Sequence, residues 1–295
     1  MKNTPQQLHI PVLLKAVLDV LSPKKGDTYL DLTAGFGGHA KAVIALLGDA
    51  RLATLVDRDK TAIAALQPLE EAGARVLKQD FLSAATSLFE AGEQFDTILL
   101  DLGVSSPQLD NAERGFSFMQ HGPLDMRMDQ TAGYTAADIV NRASKDELLR
   151  ILREFGEEPL AARIAQTIIS SRPITTTAQL ADVVAKLYRG KRGKTHPATR
   201  TFQALRIAVN DELSQLAQTL PLLTGLLKPG GRVAVISFHS LEDRLVKNFF
   251  NEQARAGYEA TLELITKQPI DGATQDVHNP RARSAKLRAA VKINT

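Results

Sequence analysis

The chain has 295 residues, with 36 Lys and Arg against 33 Asp and Glu and a formal net charge of +3; at roughly 100–200 residues per domain this suits two domains, or one large domain with an insertion. A hydrophobic fraction of 44% and a charged fraction of 23% exclude wholesale disorder. No apolar run reaches the roughly 18–20 residues of a membrane-spanning helix, and the first seven residues are too polar for a secretory signal. The absence of cysteine excludes disulfides, thiolate zinc sites, iron–sulfur ligation and a cysteine nucleophile. The expectation is a cytoplasmic protein with no metal site and no membrane partner.

Taken in chain order, the first half alternates strands with helices. An apolar run at 29–32 ends in the glycine turn Ala34-Gly35-Phe36-Gly37-Gly38, and helical periodicity through Ala40, Val43, Ile44 and Leu47 stops at Gly48, a predicted C-cap. Strands are predicted at 52–56, 75–77 and 97–100, and helices at 61–72 and 83–91. Continuous apolar strands between helices are the mark of a parallel sheet buried on both faces. From about residue 108 to 199 the pattern carries no strand and several helix starts. Ser144-Lys145-Asp146-Glu147 and Thr176-Thr177-Ala178-Gln179 both fit a capping box. A long helix at 201–227, a strand at 232–238, a helix capped at Ser240-Leu241-Glu242-Asp243, and late strands at 262–265 and 287–293 complete the chain. The predicted fold is α/β, a doubly wound sheet over 1–107 and 200–295, interrupted by an all-helical domain at 108–199.

Charge is uneven. Residues 189–200 and 281–292 carry five basic residues each and no acid, and the remainder has 26 basic against 33 acidic residues, a net of −7. Basic patches on an acidic body suit a phosphate-rich partner.

In an open parallel sheet, ligands bind beyond the carboxyl ends of the strands, near the point where strand order reverses. The glycine turn, Asp57, Asp80-Phe81 and residues 101–108 fall there. Glycines at 35, 37 and 38 allow close backbone approach to a ligand, and Asp57 stands 22 residues beyond Gly35, near the spacing at which a carboxylate holds both hydroxyls of a ribose. An adenosine-containing cofactor follows. Phe81 is placed to meet an adenine or to join the core; Asp80 is placed to bond an adenine amino group or to cap a helix. In Asp101-Leu102-Gly103-Val104-Ser105-Ser106-Pro107-Gln108, a carboxylate leaves a buried strand and Pro107 biases Ser106 toward an extended backbone. Such acceptors suit the N–H bonds of an amine about to be alkylated, and Asp101, Ser105 and Ser106 are the candidate catalytic residues.

The blocks His9-Ile10-Pro11-Val12-Leu13-Leu14, 31–39, 101–109, Glu113-Arg114-Gly115-Phe116-Ser117-Phe118, Pro123-Leu124-Asp125-Met126-Arg127-Met128, 196–213, 237–244 and Asn279-Pro280-Arg281-Ala282-Arg283-Ser284 resemble the small-subunit ribosomal RNA methyltransferase H family. The resemblance spans nearly the whole chain. It implies a class I, Rossmann-like methyltransferase fold with an inserted helical domain, S-adenosylmethionine as methyl donor, and transfer to the exocyclic N4 of a cytosine in the decoding region of 16S ribosomal RNA, within the small ribosomal subunit. Carried over by position, it implies cofactor contacts from Gly37, Gly38, His39, Asp57, Phe81, Asp101 and Gln108. Phe36 and Ala16 depart from the family pattern. The missing cysteine argues independently against C5 methylation through a covalent ring adduct. The competing readings are a nicotinamide-dependent oxidoreductase, a non-catalytic RNA-binding assembly factor, and a DNA amino-methyltransferase, the last disfavoured because Pro107-Gln108 stands where a Pro-Pro-Tyr type motif is required. The sequence leaves open whether the chain forms a homodimer.

Overall fold

The computed structural model describes residues 11–131, 133–188 and 196–293. His9, Ile10 and the larger part of the first basic window, 189–195, lie outside the described residues. The chain divides into two compact units, one formed by residues up to Gly103 and again from Ser214 onward, the other by Val104–Leu213.

The first unit is built on strands β1 (Tyr29–Asp31), β2 (Ala53–Asp57), β3 (Arg75–Lys78), β4 (Phe95–Asp101), β5 (Leu227–Ser237), β6 (Leu262–Leu264), β7 (Ile270–Asp271) and β8 (Lys286–Lys292). Their order is β3-β2-β1-β4-β5-β8-β6, with β7 also paired to β8. The first five strands run parallel and β8 runs antiparallel to β5. Strand order reverses between β1 and β4, in register Tyr29↔Thr97 and Asp31↔Leu99.

Alternation along these strands sorts the side chains into two layers. Tyr29, Leu55, Leu99, Ala234 and Ile236 pack on one face with residues of α1 (Leu14–Leu21), α2 (Gly38–Leu47) and α3 (Lys60–Glu71). Leu30, Val56, Ile98, Leu100, Val233 and Val235 pack on the other with α4 (Phe81–Glu90) and later helices. Burial on both faces explains why the strands read as continuous apolar runs. Leu99 and Ile98 are fully buried on opposite faces, and truncating either to Ala costs about 2–5 kcal/mol.

The helical unit holds α5 (Ser106–Asp110), α6 (Ala136–Arg142), α7 (Lys145–Glu154), α8 (Ala161–Ser170), α9 (Thr177–Lys186) and α10 (Thr199–Asn210) around its own core, which includes Leu148, Ile151, Ile164, Ile168, Leu180, Val184, Phe202 and Leu205. Asn210 stitches it together, accepting the Met128 N–H at 2.9 Å and donating to the Met126 carbonyl at 2.8 Å. The predicted caps form at Ser144, whose hydroxyl accepts from the Glu147 amide, and at Thr176, which exchanges bonds with Gln179.

Three local readings change. The helix expected at 201–227 is two helices, α10 and α11 (Glu212–Leu226), broken at Asp211 with φ 51°. Because α10 packs among the residues of the helical core, that unit extends to Leu213 rather than ending near 199. The helix α12 (Ser240–Arg255) is capped by His239 rather than Ser240, with Glu242 accepting the Phe238 amide at 2.8 Å. Strand β5 begins at Leu227, and its pairing with β4 shifts across Lys228-Pro229-Gly230-Gly231. A Cβ on Gly231 would stand 2.8 Å from the Lys228 carbonyl oxygen and 3.0 Å from that of Phe95, so this bulge accepts only glycine there. A short helix α13 (Gly272–Gln275) precedes β8.

Candidate active site

Within the sheet unit, the carboxyl ends of β1, β2 and β4 carry a linked set of polar groups. Asp31 closes β1 and is almost fully buried. Its Oδ2 accepts the Tyr29 hydroxyl at 2.8 Å, and its Oδ1 accepts the Thr33 amide at 3.1 Å. Thr33 Oγ1 in turn accepts the Asp101 amide at 2.5 Å, tying the end of β1 to the end of β4. Burial dominates the electrostatics here. It pushes the Asp31 carboxyl up to about 7 against the pull of its two hydrogen bonds, and drives the Tyr29 hydroxyl upward as well.

Asp101 leaves β4 without comparable support. Its Oδ1 is closed off from solvent and has no hydrogen-bond partner among the described residues. Its Oδ2 stands 3.5 Å from His39 Nδ1. Burial, then the Asp31 and Glu242 carboxylates, raise the Asp101 carboxyl well above the ordinary carboxylate range. His39 is buried in the first turn of α2 with Nε2 at 3.0 Å from the Val12 carbonyl oxygen.

The glycine turn takes positive φ at Gly35 (53°) and Gly37 (76°), a region costly for residues with a Cβ. A Cβ on Gly38 would meet Pro11 Cγ at 2.6 Å, whereas one on Gly35 would meet nothing closer than the Thr33 oxygen at 3.9 Å. Gly38 is therefore required by packing, and Gly35 by conformation beside open space. Asp57 holds this turn: its Oδ2 accepts the Gly35 amide at 2.9 Å and its Oδ1 the Asp59 amide at 2.8 Å. The carboxylate that spacing assigned to a ribose is thus also the brace of the glycine turn, and each oxygen keeps lone-pair capacity for a further donor. Burial raises the Asp57 carboxyl despite both amides.

The remaining predicted residues separate. Phe81 opens α4, half-buried against the apolar layer that contains Leu30 and Val56. Asp80 caps α4, accepting the Ser83 amide at 2.8 Å and its hydroxyl at 2.7 Å, which fulfils the capping alternative. Ser105, Ser106 and Gln108 belong to the helical unit. Ser106 is not extended, as Pro107 led the sequence to suggest, but is the first residue of α5; the extended residue is Ser105, with φ −72° and ψ 157°. Proline is tolerated in a first helical turn because its missing N–H has no partner to lose there. Gln108 Oε1 accepts the Ser105 amide at 2.9 Å, and the Ser105 hydroxyl faces the Gln108 amide in a capping box. Asp31, Tyr29 and Thr33 were not singled out from sequence. The signal available was a carboxylate ending a buried apolar strand, the same argument that picked out Asp101.

The sheet order, with its antiparallel strand beside β5 and its glycine turn after β1, defines a class I, Rossmann-like methyltransferase fold. The chain belongs to the MraW methylase family, whose sequence pattern matches residues 6–293. It is 47% identical over 305 residues to the ribosomal RNA small subunit methyltransferase H of Bradyrhizobium diazoefficiens, covering 97% of this chain and 92% of that protein. It is 48% identical over 296 residues to the protein of the same name from a Synechocystis strain, covering 97% and 93%. A solved putative rRNA methylase from Clostridium thermocellum is similar over 97% of this chain and all of that one, with a TM-score of 0.46 and 14% identity. The cofactor is S-adenosylmethionine. The residues present fit it, since Gly35 leaves open space at the braced turn and Asp101 offers a buried, unpartnered acceptor. Among the described residues, no helix is long and apolar enough to cross a membrane.

Proposed function

We propose that this protein methylates the exocyclic N4 of a cytosine in the decoding region of 16S ribosomal RNA, in the cytoplasm and on the small ribosomal subunit. The observation that carries the chemistry is the unpartnered Oδ1 of Asp101 at the end of β4. The names borne by the 47–48% identical relatives support the RNA class, and the resemblance of the motif blocks supports the base and its position.

In this reading Gly37, Gly38 and His39 shape the turn against the cofactor, Asp57 engages the ribose hydroxyls, Phe81 lies at the adenine, and Asp101 and Gln108 face the methionine end. When bound, the cofactor supplies an electrophilic methyl group on a sulfonium. A cytosine amine is a weak nucleophile because its lone pair is delocalised into the ring. The Asp101 carboxylate, whose side chain is 25% exposed, accepts one amine N–H, which favours a pyramidal nitrogen and holds it in place; Ser105 and Ser106 are the other acceptors proposed for this task. Orientation of this kind supplies several kcal/mol of barrier reduction. As the N–C bond forms, the nitrogen becomes acidic and one of its protons leaves to Asp101. The target base must be unpaired and unstacked for its amine to be reached, so the RNA is bound single-stranded or splayed.

The test is methyl transfer from isotopically labelled S-adenosylmethionine to small ribosomal subunits from a strain lacking the enzyme, followed by nuclease digestion and mass spectrometry. N4-methylcytidine in a decoding-region fragment is the expected product. Label on C5 of cytosine, on another base, or on no RNA at all would overturn the reading.

A further inference from the structure

The mechanism leaves one part of the helical unit without a task. His196 lies over Phe118 with ring centroids 4.5 Å apart and planes 27° from parallel. Phe118 is itself fixed from the side by the buried Phe202, in an edge contact at 5.0 Å and 74°. The His196 main chain and ring are both held: its carbonyl accepts the Thr199 amide at 3.0 Å, and its Nδ1 accepts the Ala198 amide at 3.2 Å. Nδ1 acts as an acceptor, so the neutral ring carries its proton on Nε2. Yet His196 is exposed. An exposed imidazole with one face on a phenyl ring and its tautomer fixed does more than a helix cap requires.

The surroundings favour an anionic polymer. Arg200, one helical turn on, is exposed and places Nη1 on the Glu157 carbonyl at 3.1 Å, a bond that leaves most of its donors for other acceptors. From His196 to Asn210 the chain contains no acidic residue. Flat aromatic faces beside cations are the general means by which proteins hold unpaired bases, since every base has a π-face.

We propose that the His196–Phe118 pair is a stacking platform for one unpaired nucleobase of the RNA, a base other than the methylated one. Arg200 contacts the adjoining phosphate, and the Nε2–H donates to an acceptor on the base edge. The platform sets where the RNA strand lies on the helical unit; it takes no part in the transfer step. This proposal rests on RNA being the substrate.

The experiment uses the full-length protein with S-adenosylhomocysteine and single-stranded decoding-region oligonucleotides, each carrying 2-aminopurine at one position. Stacking quenches that base, so the wild-type protein should quench it at one position outside the target cytosine. His196→Ala should abolish the quenching and weaken binding by about 5- to 150-fold, the equivalent of one lost stack at about 1–3 kcal/mol. His196→Asn retains an acceptor for the Ala198 amide but no comparable face, and should behave like Ala. His196→Trp restores a face without that acceptor and should bind like the wild type. A purely structural His196 gives the opposite pattern, with Asn tolerated and Trp not. Quenching at no position in the wild type, or wild-type affinity in both Ala and Asn variants, would overturn the platform. Transfer to intact small subunits by the wild type, measured in parallel, reports on the RNA substrate alone, so failure of the platform and failure of the function reading remain distinguishable.

Discussion

His39 Nδ1 and Asp101 Oδ2 face each other at 3.5 Å, and the Val12 carbonyl on the far side of the ring leaves a single hydrogen to be placed between them. A carbonyl oxygen only accepts, so His39 Nε2 carries its proton. Nδ1 then presents a lone pair to Asp101 unless one of the two groups is protonated. A proton on either group would close this contact, and His39 is the positioning residue that faces the Asp101 carboxyl.

The rate of transfer should depend on pH with a definite sign. Asp101 is raised above the ordinary carboxylate range by burial and by the Asp31 and Glu242 carboxylates. Its ionised, proton-accepting form is lost as pH falls through that raised value, so kcat should fall on the acid side. Asp31→Asn removes one repelling carboxylate and should move the acid limb to lower pH. A pH–kcat profile of the two proteins checks this; an unmoved limb would exclude Asp101 as the titrating group.

Asp101→Ala should abolish transfer while the protein still folds and binds S-adenosylhomocysteine with at most a modest loss. Asp101→Asn keeps an acceptor oxygen but cannot take a proton, and should lower kcat by about 100-fold or more. Circular dichroism and calorimetric titration separate these outcomes from unfolding. Retained activity in the Ala variant would remove the residue from the mechanism.

Asp31 also predicts the shape of the stability curve. Its folded-state value is about 7, above the unfolded 3.8, so the native state binds this proton more tightly than the unfolded chain. Stability should be fullest below about pH 4 on this account and decline as pH rises toward 7, with a slope of at most about 1.4 kcal/mol per pH unit for the one proton. Asp57 and Asp101, also raised, add slopes of the same sign. Denaturant unfolding of Asp31→Asn between pH 4 and 7 should show a flatter dependence than the wild type.

Gly38→Ala places a methyl group 2.6 Å from Pro11 Cγ. Pro11 adjoins Val12, whose carbonyl anchors His39, so the overpacking should loosen the imidazole as well as cost about 1–3 kcal/mol. A lowered melting temperature together with weaker S-adenosylhomocysteine binding is the expected pair of readouts.

Three of the five cations in the second basic window are engaged inside the protein. Arg288 donates through Nε and Nη2 to Asp243 at 2.7 and 3.1 Å and is buried, Lys286 stands 3.7 Å from the same carboxylate, and Lys292 donates to the Leu227 carbonyl at 2.8 Å. Arg288→Ala should therefore act on stability, by about 3–5 kcal/mol for an uncompensated buried charge, less whatever Lys286 recovers. The exposed Arg283→Gln should instead leave stability unchanged and reduce the salt dependence of RNA binding by about one unit of slope if it touches a phosphate.

These contrasts show what the sequence could and could not reveal. The sheet was legible because strands buried on both faces leave unbroken apolar runs, and Gly48, Ser144 and Thr176 cap helices by purely local bonds. His239 escaped notice because histidine is an uncommon cap, and the break at Asp211 because a left-handed residue without glycine leaves little trace. Asp101 and the glycine turn stood out, but the chain from Tyr29 through Asp31 and Thr33 to Asp101 joins strands 68 residues apart, and only the fold brings those atoms together. Counting charges overstated the second basic window because composition is blind to pairing between a strand and the helix packed on it.

The helical unit enters and leaves the sheet unit through one junction each, at Gly103–Val104 and Leu213–Ser214, and its apolar residues close on themselves. Ser105, Ser106 and Gln108 nevertheless lie on the helical side of the first junction, so a graft that spared the proposed chemistry would have to be cut after that turn rather than at the junction itself.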